Sequence, residues 1–429
     1  MTATKLGKYS VIGAFALAVL LFQGCKPEGE LLIRKPLNIV LILSEGHSPS
    51  AIGAYNPNSP VVRTPGIDSL AKGGSIFTDC ITADWETWRQ IEDSLPQRLS
   101  AKGYSTAFFG LWDYGNRPES YSSYTSLEGE GNYYNPMLRK DGVLLFKEGH
   151  VSSILADEAV EWLQGKSSSH SPFLMVVHNY AMNGTWMPDI EDLGKFSSAE
   201  GATLAEDDTL TEDFVKKLNV VYHLKMADPS GKIHTPGEQK LEMMGRDLYR
   251  RDLRPYDPLV PGRMTSAQQK EWDAHYNPIM ASFRKDSPKG NNLLRWKYGR
   301  FLEDYLETAN SVDRGITKIM ESLKEGGQLD NTVVIYTSAG SLIGGETPEV
   351  PLIIRHPANG YLTEGYLFRK GEVDGEVSAQ DIYPTLIEFS GETAPEWISG
   401  ESIISRMTRK DPSKKSSWKD IFKKIRFRK

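Results

Sequence analysis

Cysteine is scarce in this chain: Cys25 and Cys80 are the only two in 429 residues. A disulfide framework is therefore excluded, and stability must come from a buried core. Long apolar runs are also missing. The longest, Val11 to Phe22, has 12 residues, too few to span a bilayer as a helix. No internal repeat is present. The basic C-terminus lacks the interleaved aromatics and the motifs of a nucleic-acid module, so no nucleic-acid partner is expected. One local absence is sharper. Between the apolar runs Val333–Tyr336 and Val350–Ile354 lies a loop that begins Thr337-Ser338-Ala339-Gly340-Ser341, with no carboxylate, imidazole or thiol among those five residues. In α/β proteins such a loop, at the carboxyl end of a strand, is where ligands bind.

The apolar run near the start follows Lys5 and Lys8 and reads as an export signal over residues 1–24. It ends Phe22-Gln23-Gly24-Cys25, which resembles a bacterial lipobox. The resemblance implies cleavage before Cys25, lipidation of that residue, a tether over 25–35 and a place in the cell envelope. Cys80 is then alone. Charge is uneven. The chain carries −6 overall, but from Arg406 onward eleven basic residues face two aspartates, so a +9 tail sits on a −15 remainder. Within the tail, Trp418, Ile421, Phe422 and Ile425 fall at helical spacing among lysines and arginines. This predicts a short basic amphipathic helix within a 406–429 tail, suited to an anionic membrane or polyanion, or else docked on the body.

Between these ends, strand and helix patterns alternate. Leu37–Leu43, Thr106–Phe109 and Phe173–His178 read as buried strands, with helices over 67–72, 95–102, 153–164, 294–324 and 381–389. The expected fold is α/β, a mainly parallel central sheet flanked by helices on both faces. Residues 187–292 are polar with little periodicity and read as a long insertion within a 36–405 domain.

The landmarks in order resemble the sulfatase family of the alkaline-phosphatase-like superfamily. They include Asn38 to Leu43, Arg63-Thr64-Pro65-Gly66-Ile67-Asp68, Ala71 to Thr78, Ala101 to Trp112, Leu329-Asp330-Asn331-Thr332, Val350 to Pro357 and Pro384-Thr385-Leu386. The resemblance implies a Ca²⁺ on hard oxygen ligands, a formylglycine nucleophile made from Cys or Ser in a C/S-x-P-x-R stretch, and Lys and His around the sulfate. This chain departs at each position. Glu45 and Gly46 stand where two Asp ligands are expected, and Ala339 and Gly340 where two more ligands are. Trp85 occupies the nucleophile position, although Arg89 keeps the motif's Arg. Leu111 and Asp113 replace a Lys and a His, and Asn183 corresponds to another His. The usual C-terminal subdomain is expected to be reduced or absent.

No cofactor is therefore expected, calcium included. The leading expectation is an inactive, exported lipoprotein that binds a protein partner or a sulfated glycan. Trp85, Trp88, Trp112 and Tyr114 would line a sugar pocket or simply fill the vacated one. Glu45 is expected to be a solvated loop carboxylate, Arg89 to pair with a nearby acid such as Asp113, and His47 and His178 to be isolated structural histidines. One alternative is an active sulfuric- or phosphoric-ester hydrolase with Thr82 or Thr87 as nucleophile and Glu45, His47 and Asp113 as ligands. Another is a membrane-associated structural or assembly factor that works through the tail.

Overall fold

The computed structural model describes residues 32–59, 61–129, 132–167, 169, 171–183, 186–197, 264–287, 290–341 and 349–413. The export segment, Cys25, most of the insertion (198–263) and most of the tail (414–429) lie outside the described residues.

In chain order the principal elements are β1 (Asn38–Gly46), α1 (Pro65–Lys72), β2 (Gly74–Phe77), β3 (Cys80–Ile81), α2 (Trp85–Arg89), a π-helical turn (Gln90–Ser94), α3 (Leu95–Ser100), β4 (Ser105–Gly110), β5 (Ser123–Leu127), β6 (Met137–Lys140), β7 (Val143–Phe146), α4 (Val151–Gln164) and β8 (Phe173–Asn179). Then come α5 (Ser266–Asp286), α6 (Gly290–Glu325), β9 (Thr332–Ser341), β10 (Leu352–Arg355), β11 (Tyr366–Phe368), β12 (Gly371–Val373), β13 (Val377–Ser378), α7 (Ile382–Phe389) and β14 (Thr408–Lys410).

Ten strands form one sheet in the order β12-β2-β10-β9-β1-β8-β4-β5-β6-β7. β1 lies at its centre, parallel to both β8 and β9. Its continuous apolar run follows from burial on both faces. Val40 and Ile42 enter the core under α1, α4 and α6, whereas Ile39, Leu41 and Leu43 enter the core under α2, α3 and α7. The sheet with helices on both faces is the architecture expected from the sequence. Its flanks are not parallel. β10 runs antiparallel to β9 and β2, and β6 is antiparallel to β5 and β7. The segment 342–351 is shorter than the dozen or so residues that a parallel crossover needs, so the chain returns antiparallel.

Two regions depart from expectation. The insertion contains α5, a regular helix opened by a capping box in which Thr265 and Gln268 exchange bonds. Trp272 anchors it, nearly fully buried. Pro278 inside the helix and a thin apolar stripe conceal it from periodicity. The tail begins with the strand β14 paired to β11, and Met407 is buried; the short helix expected on the Trp418 to Ile425 stripe lies outside the described residues. Among the described residues, β14 is the only strand after α7.

α6 fixes the layer above β1. Leu302, Tyr305, Ala309, Val312, Ile316, Ile319 and Leu323 are all buried along one stripe. On the same helix, Asp313 accepts the free N-terminal amides of α1, from Gly66 at 2.8 Å and Ile67 at 2.7 Å. A carboxylate there satisfies donors that the helix cannot and meets the positive end of its dipole. Gly66 permits the approach, since a Cβ there would fall 2.6 Å from the Asp313 carbonyl oxygen. Asp313→Ala is expected to lower unfolding free energy by about 1–3 kcal/mol in urea titrations, and Asp313→Asn by less, because an acceptor is kept.

Candidate functional site

The carboxyl ends of β1, β8, β9 and β4 meet at one edge of the sheet. β1 slips register between Ser44 and Gly46, and β9 continues as a strand through Ala339 and Gly340 to Ser341, opposite Gly46. The expected loop is thus mostly strand. Its backbone is satisfied from within: Thr82 Oγ1 donates to the Ala339 carbonyl at 2.7 Å, and Ser338 Oγ donates to the Gly340 carbonyl at 2.5 Å while accepting from the His47 amide. The Gly46 carbonyl accepts the Tyr305 hydroxyl at 2.8 Å.

Glu45 is not the solvated carboxylate expected. Its side chain is 13% exposed; Oε1 lies 3.0 Å from His178 Nε2, and Oε2 accepts the Asn183 amide. Nor is His178 isolated. Its Nδ1 lies 3.0 Å from Glu92 Oε1, and the other Glu92 oxygen accepts the Tyr114 hydroxyl. The result is a buried chain, Asn183–Glu45–His178–Glu92–Tyr114. Burial works against charge on His178, but the carboxylates of Glu92 and Glu45 outweigh it and push its pKa up to about 10. The ring is an imidazolium at neutral pH. Burial, with the Glu92 charge, raises the Tyr114 phenol far above its ordinary range. His47 behaves oppositely. Its ring contacts the Tyr336 hydroxyl and the Ala51 carbonyl, and burial lowers its pKa to about 4.

Glu92 is the member of this chain that sequence reasoning does not single out. It sits on the π-helical turn, fully buried, a local widening common at functional sites. A signal exists: Glu92 falls on the buried stripe of Trp88, Ile91, Leu95 and Leu99, where an acid requires a partner. Gly110, ending β4, allows the tight seat beside β8. A Cβ there would come within 2.0 Å of the His178 carbonyl oxygen.

The remaining expected residues scatter. Trp85 opens α2, and its side chain is not among those described. Trp88 is buried in the core, as a filler would be. Trp112 and Tyr114 meet edge to face at 4.8 Å. Leu111 is half-buried, its amide bonded to the His178 carbonyl. Arg89 pairs with exposed Glu86 at 3.7 Å rather than with Asp113. Thr87 lies in the first turn of α2, under the Asp84 cap. Beside Trp112, at the ends of β4 and β5, opens a polar cavity of about 1060 Å³. Asp93, Asp113, Glu119 and Glu128 line it with Arg117 and Arg139, the last paired to Glu128 at 2.5 Å.

A calcium ion needs six to eight oxygens, most of them charged. Here Gly46, Ala339 and Gly340 bring no side-chain oxygen, and both oxygens of Glu45 are already engaged. Among the described residues no cluster of three His, Cys, Asp or Glu side chains is placed to hold a metal. Glu45, His47 and Asp113 in particular are not gathered. The donor set does not fit the ion.

Residues 86–391 match the sulfatase family model. The chain is 26% identical over 427 residues to an N-acetylglucosamine-6-O-sulfatase of Bacteroides thetaiotaomicron, covering 90% of this chain and 73% of that protein. It is 24% identical over 439 residues to an arylsulfatase of Clostridium perfringens, covering 89% of this chain and 80% of that one. Among solved structures, a protein bound to its substrate D-glucosamine-2-N,6-O-disulfate superposes with a TM-score of 0.67 at 26% identity, over 87% of this chain and 80% of that one.

The charged chain makes a pH prediction. His178 titrates at about 10 when folded, above the ordinary 6.5, so protonation favours the folded state. That stabilisation is complete below 6.5 and is lost as pH rises toward 10. Urea midpoints of the wild-type chain should fall across this window, and the slope should flatten in His178→Gln. An unchanged slope in the variant would show that His178 is not the titrating group.

Proposed function

Because the chain belongs to the sulfatase family, we propose that it is a catalytically inactive member that holds a glycan in the cavity beside the closed-off site. The observation that carries this reading is the commitment of Glu45: His178 and Asn183 occupy the carboxylate that stands where a metal ligand is expected. Trp85 at the nucleophile position points the same way, since an indole cannot become formylglycine. The cavity is concave and polar, with Trp112 on its wall and Arg117 as a cation without an ion pair among the described residues. Four acids around it favour a sparsely sulfated glycan over a densely charged one. The proposal includes export and a lipid on Cys25, supported by the sequence ahead of it. Cys80 is buried, with its thiol pushed up to about 12, chiefly by burial, and takes no part in such chemistry.

A second reading, a sulfuric- or phosphoric-ester hydrolase with a rearranged site, is favoured by the 26% identity to an N-acetylglucosamine-6-O-sulfatase over 90% of the chain. It would need Thr82 or Thr87 as nucleophile, and Thr82 already donates to Ala339.

Incubation of the purified chain with N-acetylglucosamine-6-O-sulfate and Ca²⁺ is expected to release no sulfate above buffer, and Trp85→Cys is expected to remain inactive. Added Ca²⁺ should leave the melting temperature unchanged, since an ion that binds the native state raises it. Titration calorimetry with N-acetylglucosamine-6-O-sulfate should show binding that Trp112→Ala weakens about tenfold, on the scale of a lost ring contact. Turnover by the wild-type chain that disappears in Thr87→Ala would establish the second reading instead.

A further inference from the structure

The strands of the parallel core point one way, so the sheet has two unlike ends. The cleft occupies the carboxyl end. At the amino end the chain enters through Leu32 to Arg34. Ile33 pairs with Leu362, the Arg34 amide donates to the Tyr361 carbonyl at 2.9 Å, and the Thr363 amide donates to the Leu32 carbonyl at 2.7 Å. The same segment reaches β11, because Asn359 Oδ1 accepts the Phe368 amide at 3.0 Å. β14 pairs with β11, which brings the last described residues to this end as well. Arg369 fixes the location: its carbonyl accepts Ser75 Oγ at 3.0 Å, at the start of β2, which runs parallel to β12 and in the direction of β1.

Cations gather at this corner. Arg34, Lys35, Arg369, Lys370, Arg409 and Lys410 are exposed, and none makes an ion pair among the described residues. Many cations elsewhere are committed, as in Lys102 to Glu392, Lys140 and Lys147 to Glu158, Arg300 to Glu303, Arg314 to Asp189 and Lys318 to Asp157, whereas those without an ion pair among the described residues, such as Arg63, Lys72 and Arg117, stand outside this corner. A hollow of about 510 Å³ lies in the corner, lined by Asn359, Leu367, Phe368, Arg369, Lys370 and Arg409, without a carboxylate. Glu364, Glu372, Asp374 and Asp411 are the acids within five residues of its lining in the sequence, fewer than the six cations. Burial, with help from the Lys370 and Arg355 charges, lowers the neighbouring His356 to about 3.

From this placement we infer that the amino-end corner is a docking face for an anionic lipid surface, which turns the cleft away from the membrane. Two features select lipid over a soluble polyanion. The described chain begins at Leu32 and stops just after β14, both at this corner, so the sequence on either side of it is attached here. Residues 414–429 carry eight Lys/Arg against Asp420, with the Trp418, Ile421, Phe422 and Ile425 stripe that an interfacial helix needs. Cations held beside an anionic bilayer are attracted over about a Debye length and released by salt. The inference goes beyond the proposed glycan reading and does not require it.

The test uses the chain from residue 25 with Cys25→Ser, so that no lipid contributes. It is sedimented with vesicles of phosphatidylglycerol and phosphatidylcholine, or of phosphatidylcholine alone, at low and high salt. Binding to the anionic vesicles only, lost at high salt, is expected. Arg369→Glu/Lys370→Glu/Arg409→Glu, with residues 414–429 retained, should weaken it about tenfold or more, while Arg117→Glu at the cleft end should not. Equal binding by the triple variant and the parent would overturn the inference, as would equal binding to neutral vesicles or binding to heparin without binding to vesicles. Should the triple variant fail to fold, fluorophores attached at Glu372→Cys and at Asp113→Cys give the answer, with brominated lipid as quencher. Quenching at 372 alone supports the stated orientation; equal or reversed quenching overturns it.

Discussion

A protonated imidazole held between two carboxylates organises the carboxyl end of this sheet. His178 bridges Glu45 on β1 and Glu92 on the π-helical turn. None of these three can stand there alone, because a buried charge without a partner costs several kcal/mol. Together they join three separate parts of the chain, and Asn183 and Tyr114 satisfy the remaining oxygens at each end. The arrangement is self-contained. A divalent cation brought to Glu45 would displace its hydrogen bonds and face the imidazolium as a like charge. The hydrogen bonds that hold Glu45 leave neither of its carboxylate oxygens open.

The sheet around this site keeps the geometry of a ligand-binding edge. β1 and β9 run side by side past Gly46 and Ala339, β4 packs tightly on β8 through Gly110, and the edge still opens into a cavity. What changes is the use of the strand ends. Backbone groups that could face a ligand are satisfied by Thr82, Ser338 and Tyr305. Trp112 lines the cavity and packs on Tyr114 of the charged chain, so a ligand of the cavity meets Trp112 and surface carboxylates.

Much of the fold is legible in the sequence. The run Asn38–Leu43 can only be a strand buried on both faces, and the stripe from Leu302 to Leu323 can only be a helix against a core. That Gly46, Ala339, Gly340 and Trp85 bring no side-chain carboxylate, imidazole or thiol is equally plain from the sequence. Their replacement is not. The stripe of Trp88, Ile91, Leu95 and Leu99 marks Glu92 as buried, but neither it nor the π-helical turn at Gln90–Ser94 tells from sequence that Glu92 meets His178 and so joins Glu45. Helix α5 is hidden because Pro278 argues against a helix, and its capping box at Thr265 and Gln268 is too short a signal to outweigh a polar, aperiodic stretch. The strand at Thr408–Lys410 draws its stability from β11, a pairing set by tertiary contact rather than by its own short sequence.

Charge also tracks the direction of the sheet. Acids gather at the carboxyl end, where Asp93, Asp113, Glu119 and Glu128 surround the cavity, and cations without ion pairs among the described residues gather at the amino end around Arg369, Lys370 and Arg409. A molecule so polarised experiences a torque near any charged plane. Beside an anionic plane, attraction of the basic corner and repulsion of the acidic rim act in the same sense, so neither has to be strong alone. The separation rests on chain connectivity. Parallel strands send every crossover back to the amino end, which leaves the carboxyl-end loops free for a site, while the N-terminal entry and β14 meet at the opposite edge. The topology that assembles Glu45, His178 and Glu92 at one end thus leaves the basic hollow at the other.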